Sequence, residues 1–246
     1  VGMLLLPLAV VVGAGYGLVR AVLPAGDSSG HSVPRGPVTD QPSPRVVVPP
    51  VVAGWQSVAG RDGAYAYDVP PSWTPEPRVV HGWEPGVGSA GVTLAASAFL
   101  GEGSCPANEV TSRGGAGVTS SELPDAEAAA RQTVTEVGVG AYTADGAPPA
   151  RVAFGPVEPV SVSLSGKTVP GRLVVADVQP SGDGPCRPAH ALVGAVAVAG
   201  GSRSVVLAAY ADEGSAPRDE LTRILRSYRG VPAADRSTTT PPPTTR

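Results

Sequence analysis

The run from Ala191 to Ala199 contains no polar side chain, and Val205 to Ala211 repeats the pattern after Gly200-Gly201-Ser202. A strand with one face in water alternates apolar and polar residues; a strand without alternation is covered on both faces. The Gly-Gly-Ser break between two such runs is a hairpin signal. The chain is therefore expected to build its centre from a buried antiparallel hairpin, with further layers packed above and below.

Other strand-like stretches are Trp55–Val58, Tyr65–Val69, Gly91–Leu100, Arg151–Phe154, Val160–Leu164 and Arg172–Val178. Gly166-Lys167 and Gly182-Asp183-Gly184 mark turns. Two segments read as helices. Pro124 to Val137 opens with Pro and acids, carries Ala126, Ala130, Val134 and Val137 at helical spacing, and is expected to stop at Gly138. Pro217 to Arg229 has Asp219 and Glu220 in its first turn and Arg223, Arg226 and Arg229 later, matching the helix dipole. Its Leu221, Ile224, Leu225 and Tyr228 form one stripe, and Gly230 follows. The expected fold class is α+β, a mostly antiparallel sheet covered by helices on both faces (an α/β/α sandwich), preceded by one transmembrane helix.

That membrane helix is read from Val1 to Val19, which carry no charge; Ala21 to Leu23 extend the apolar run past Arg20. Nineteen helical residues span about 28 Å, the thickness of a bilayer's hydrocarbon core. A cleaved signal peptide and a buried core helix are the other readings of this run. No basic residue precedes it and no convincing small-x-small site follows Leu23, which weighs toward a retained anchor. Arg20, Arg35 and Arg45 follow the run, a distribution that alone would favour a cytoplasmic domain. The cysteine usage described below favours the opposite side, and an extracytoplasmic domain is the expectation.

The organisation that follows is residues 1–23 as the membrane helix, 24–54 as a Pro-rich disordered spacer, 55–230 as the globular domain and 231–246 as a Thr/Pro-rich disordered tail. Seven prolines lie between Pro24 and Pro50, suiting an extended spacer. Two cysteines occur, Cys105 and Cys186, each flanked by Gly and Pro in loop-like settings. An even pair of this kind in an exported chain reads as one disulfide. Their spacing excludes CxxC redox and zinc motifs.

The chemistry-bearing motifs are sparse. Ser165-Gly166-Lys167-Thr168 lacks the upstream glycine and the following helix of a phosphate loop and reads as a β-turn. There is no GxSxG elbow and no SxxK. His31 lies in the spacer, His81 in a segment expected to be a surface turn, and His190 at the start of the apolar strand. Asp183, Cys186 and His190 are too few and too committed to make a metal site. Asp68, Glu84, Glu102 and Asp177 are dispersed, although glycosidase acids pair in space and not in sequence. Trp83, between Gly82 and Glu84, is the aromatic most suited to a contact, and Trp83, His81 and His190 form the candidate contact surface. A formal net charge of -3 supplies no basic surface for nucleic acid.

Tyr65-Ala66-Tyr67-Asp68-Val69-Pro70-Pro71-Ser72-Trp73, read with Ile224-Leu225-Arg226-Ser227-Tyr228-Arg229, resembles the PsbP-like sandwich. Within that group the chain is most similar to domains of unknown function in actinobacterial envelope proteins that sit behind one membrane helix and a Pro-rich spacer. Trp55, the Cys105 and Cys186 pair, and Ala128-Ala129-Ala130 carry that likeness. The resemblance implies binding or accessory proteins without a shared catalytic apparatus. The expectation is a membrane-anchored, non-catalytic, extracytoplasmic module. It needs no cofactor, binds no nucleic acid, and has an envelope protein or cell-wall component as partner. The alternative is an envelope hydrolase using dispersed carboxylates.

Overall fold

The computed structural model describes residues 45–107 and 111–239. In chain order the elements are β1 (Arg45–Val47), β2 (Gln56–Gly60), β3 (Tyr65–Val69), β4 (Trp73–Trp83), β5 (Val92–Leu100) and β6 (Gly114–Ser121). Helix α1 (Ala126–Tyr142) follows, then β7 (Arg151–Phe154), β8 (Glu158–Leu164), β9 (Lys167–Gln179), β10 (Ala191–Ala199) and β11 (Ser204–Asp212). Helix α2 (Arg218–Arg226), β12 (Arg229–Gly230) and β13 (Ser237–Thr239) are the last of the described elements.

Eight strands form one antiparallel sheet in the order β4-β5-β6-β11-β10-β9-β7, with β8 paired to the other half of the long β9. The apolar hairpin β10–β11 sits at its centre, Ala199 opposite Ser204. Both of its faces are covered. On one face α1 buries Ala129, Ala130, Val134, Val137 and Tyr142 against Val193, Ala195, Val206 and Ala208. On the other, Val196, Leu207 and Ala209 pack beneath Val58, Tyr67 and Val69 of a small sheet ordered β12-β3-β2, together with Leu221, Ile224 and Leu225 of α2.

This second layer corrects the expected fold class. Helices do not cover both faces: α2 has nine residues, about 13 Å of helix, against a sheet roughly 35 Å wide. The β2–β3 hairpin supplies most of the remaining cover, and Tyr67 and Trp73 are its largest fully buried side chains or lie at its exit. No helix among the described residues is long and apolar enough to cross a membrane. Residues 1–23, on which the membrane helix was expected, lie outside the described residues.

Chain expected to be spacer and tail also contributes structure. Arg45–Val47 pairs antiparallel with Ser237–Thr239, and Val48 is buried with Ala66 and Val231. The fully buried Asp68 holds this approach. Its Oδ2 accepts from the backbone N–H groups of Val51 (2.7 Å) and Val52 (2.9 Å), and its Oδ1 lies 3.0 Å from the Arg229 guanidinium. That last contact has ion-pair distance without hydrogen-bond alignment.

Two strands that the pattern did not reveal position the site. β4 contains Pro75 and Pro77, residues that cannot donate to a ladder, and it lies at the sheet edge where that is tolerated. β6 begins Gly114-Gly115-Ala116-Gly117, a sequence with little strand propensity. The reason for its glycines is packing. A Cβ on Gly115 would stand 2.5 Å from the Tyr210 hydroxyl, and one on Gly117 2.8 Å from the Leu94 side chain.

Candidate functional site

A cleft of about 380 Å³ opens on the α1 face of the sheet, at the C-terminal end of that helix. Its walls come from the end of β4, the end of β5 with the β5–β6 connection, the last turn of α1, the loop before β10 and the end of β11. Each wall follows from a local feature of the sequence.

Helix α1 does not stop at Gly138 as expected but continues through Gly140 to Tyr142. Glycine inside a helix costs about 1 kcal/mol relative to alanine, and here both glycines admit close neighbours. A Cβ on Gly138 would meet Val152 at 3.0 Å, and one on Gly140 would meet the Trp83 side chain at 2.7 Å. Trp83 therefore lies directly under the last turn of the helix. Because Gly115 is bare, the Tyr210 ring lies across β6 toward the same place, 5.4 Å from Trp83 and 6.4 Å from Tyr142 in edge-on contacts.

His81, expected in a surface turn, stands instead within β4 as the centre of this cluster. Its ring lies 4.8 Å from Phe99, 5.9 Å from Trp83 and 6.0 Å from Tyr210. It is held there by paired irregularities in the two edge strands. The β4–β5 register shifts between Glu76 and Val80, and the β5–β6 register between Ala95 and Ala98. At the second bulge Ala96 adopts φ +52°, a left-handed conformation that a non-glycine residue rarely takes in a strand. Tyr67 secures it by donating its hydroxyl to the Ala96 carbonyl at 2.6 Å. The bulge delivers Ser97, which is fully buried. Its hydroxyl donates to the Val79 carbonyl (2.9 Å) and lies 2.7 Å from His81 Nδ1.

The serine has one proton and spends it on Val79, so it accepts from His81, and the imidazole carries its hydrogen on Nδ1. Nε2 is then a lone-pair acceptor. It is buried and has no hydrogen-bond partner. Burial pushes the His81 pKa from 6.5 to about 4, so the ring is neutral across the physiological range.

The polar side of the cleft gathers around the disulfide. Cys105 and Cys186 are bonded, their Cα atoms 5.7 Å apart across 81 residues of sequence. Arg113 Nη1 donates to the Cys186 carbonyl (3.4 Å) and to Asp212 Oδ2 (3.3 Å). Tyr142 donates its hydroxyl to Asp212 Oδ1 at 3.3 Å. Arg187 donates through Nη2 to the Tyr142 carbonyl, while its buried Nε has no partner. Desolvation raises the Asp212 pKa, opposed by the hydrogen bonds from Arg113 and Tyr142. Burial also raises those of Tyr142 and Tyr210.

Of the residues proposed from sequence, Trp83, His81, Cys105 and Cys186 meet at this cleft. His190 does not: it is exposed beside β10, its carbonyl accepting from Glu213 at 2.9 Å. The dispersed carboxylates do not converge. Asp68 is a buried structural group, Glu84 and Glu102 are exposed, and Asp177 pairs with Arg218 on the surface. Among the described residues the cleft holds one carboxylate, Asp212, and no cluster of three or more His, Cys, Asp or Glu suited to a metal occurs. Ser165-Gly166 forms the two-residue turn between β8 and β9, Leu164 opposite Lys167. Sequence reasoning missed Arg113, Arg187, Tyr142, Tyr210 and Asp212. The Arg187 position next to Cys186 was the one available signal.

Residues 48–233 match the family described as a domain of unknown function (DUF8017), and the chain belongs to that family. No curated protein matches the sequence. Among solved structures, the solution structure of cyanobacterial PsbP from Synechocystis sp. PCC 6803 is similar at 12% identity and a TM-score of 0.36, covering 73% of this chain and 94% of that one. A likeness at that level carries no statement about function.

Proposed function

We propose that this domain is a non-catalytic binding or accessory module of the cell envelope. It is held at the membrane through the apolar run at residues 1–23 and folded outside the cytoplasm. The observation that carries the reading is the disulfide-framed cleft, with aromatic rings on one wall and two arginines and Asp212 on the other. Rings and arginines in a concave site are the residue types that dominate recognition. A disulfide between two loops suits an oxidising compartment. The hydrolase alternative requires two converging acids; the described lining residues supply one, and no observation favours it.

Binding at the cleft is tested by titrating a fragment library into the ¹⁵N-labelled domain. The expected result is a group of fragments that shift the Trp83 indole and the Arg113 and Arg187 resonances together. Fragments that bind elsewhere, or none at all, would remove the reading. Location is tested by alkylating protein taken from its host without reduction. Both cysteines are expected to resist labelling, and free thiols at both positions would overturn export.

A further inference from the structure

Two side-chain polar atoms among the described residues are buried with neither a hydrogen bond nor an ion-pair partner: His81 Nε2, an acceptor, and Arg187 Nε, a donor. Both belong to residues that line the cleft. An unpaired buried polar group is costly, on the order of 1–3 kcal/mol, and native proteins retain few without a use. The two lie at opposite ends of one chain of contacts. His81 touches Tyr210, Tyr210 touches Tyr142, and Tyr142 accepts from Arg187 through its carbonyl. Arg113 stands beside Arg187, bonded to the carbonyl of the preceding residue, Cys186. Asp212 is the one described anion facing them, and it already accepts from Arg113 and Tyr142.

Resting on the reading of the cleft as a binding site, we propose that its ligand is a hydroxylated ring carboxylate, a sugar acid of the uronate type. The carboxylate lies against Arg187 and Arg113, and a ring hydroxyl donates to His81 Nε2. Charge complementarity sets the first contact, since two guanidinium groups face a single carboxylate of the protein. The Nδ1–H tautomer imposed by Ser97 sets the second, because Nε2 can accept from a hydroxyl but has no proton to donate. The half-buried Trp83 sets the third, offering apolar surface to the C–H face of a ring, with the buried Tyr210 behind it. A peptide C-terminus has the charge but lacks a rim of hydroxyl donors on a ring. Nε2 is closed off from solvent, so the assignment requires the half-buried Trp83 ring, edge-on to His81 at 5.9 Å and packed beneath Gly140, to shift and admit the hydroxyl.

Saturation-transfer NMR and Trp fluorescence with D-glucuronate, its uncharged methyl ester and N-acetyl-phenylalanine test the assignment on the intact domain. Glucuronate is expected to bind and to change Trp fluorescence, with the ester at least tenfold weaker. Arg187→Gln is expected to abolish the difference between acid and ester. Because that variant also loses a structural contact, the acid–ester comparison on the unaltered domain stands as the primary readout. Equal binding of acid and ester, or no binding of glucuronate, overturns the assignment. Binding of N-acetyl-phenylalanine alone replaces the sugar acid with a peptide carboxylate. If fragments still map to the cleft, only the ligand class fails; if they do not, the binding reading beneath it fails too.

Discussion

Lowering the pH should loosen this domain through His81. Its pKa is about 4 when folded and 6.5 when free, the cause being burial among Phe99, Trp83 and Tyr210. Between those values the unfolded chain binds a proton that the folded chain refuses. The stabilisation is therefore fully present above pH 6.5 and is lost as pH falls toward 4. Each pH unit well inside that window is worth about 1.4 kcal/mol, which integrates to about 2.5 kcal/mol between pH 7 and pH 4.5. The other cleft acid acts in the opposite sense: the raised pKa of Asp212 makes its burial less costly as it protonates at low pH. The assay is urea denaturation from pH 7 to 4.5, comparing the wild type with His81→Phe. Phe fills the aromatic site, and Ser97 keeps its bond to Val79. The variant's stability should fall by about 2.5 kcal/mol less over this range. Equal slopes in the two proteins would refute the reasoning, because they would mean that His81 titrates freely in the fold.

Asp68→Asn leaves the nearly buried Arg229 guanidinium without its counter-charge and should cost about 2–3 kcal/mol, below the figure for a fully buried pair because the arginine keeps some contact with water, read as a drop in the urea midpoint at constant slope. Replacing both cysteines by serine removes a constraint across 81 residues. It should lower stability by at most about 4.5 kcal/mol, measured by thermal unfolding with and without reductant. Gly140→Ala drives a methyl into Trp83 and should cost about 1–3 kcal/mol, with a shifted Trp emission reporting the displaced ring. Tyr67→Phe frees the Ala96 carbonyl and should cost about 1–2 kcal/mol; an unchanged midpoint would show that the bulge stands without it.

Much of the architecture was legible because periodicity is local. The β10–β11 hairpin and β3 coincide with their apolar runs, since burial on both faces is written directly into consecutive residues; β7 also falls where it was expected, although its side chains are mostly exposed. What escaped notice was glycine and proline used for packing. Gly138 looked like a helix stop, yet it and Gly140 sit inside the helix, bare because Val152 occupies the space a side chain at 138 would need and Trp83 the space at 140. β4 and β6 left no strand pattern for the same reason: Pro75 and Pro77 are admitted by an edge, and Gly115 and Gly117 by Tyr210 and Leu94.

The candidate site divides along the same line. Pairing of Cys105 with Cys186 followed from residue type and immediate setting, and Trp83, singled out in the same way, lines the cleft. The remaining cleft residues are contributed by β5, β11, the end of α1 and two separate loops, and nothing in their spacing relates them. His81 owes its tautomer to a serine 16 residues away, delivered by a bulge that Tyr67 holds from a different sheet, and its depressed pKa to burial among rings from three separate strands. Sequence alone thus determined the buried central hairpin, many of the other strands and the disulfide, because hydrophobic burial and cysteine chemistry act residue by residue. Only the tertiary structure decided the cleft, because hydrogen bonds and desolvation depend on which distant groups the fold brings within a few ångströms.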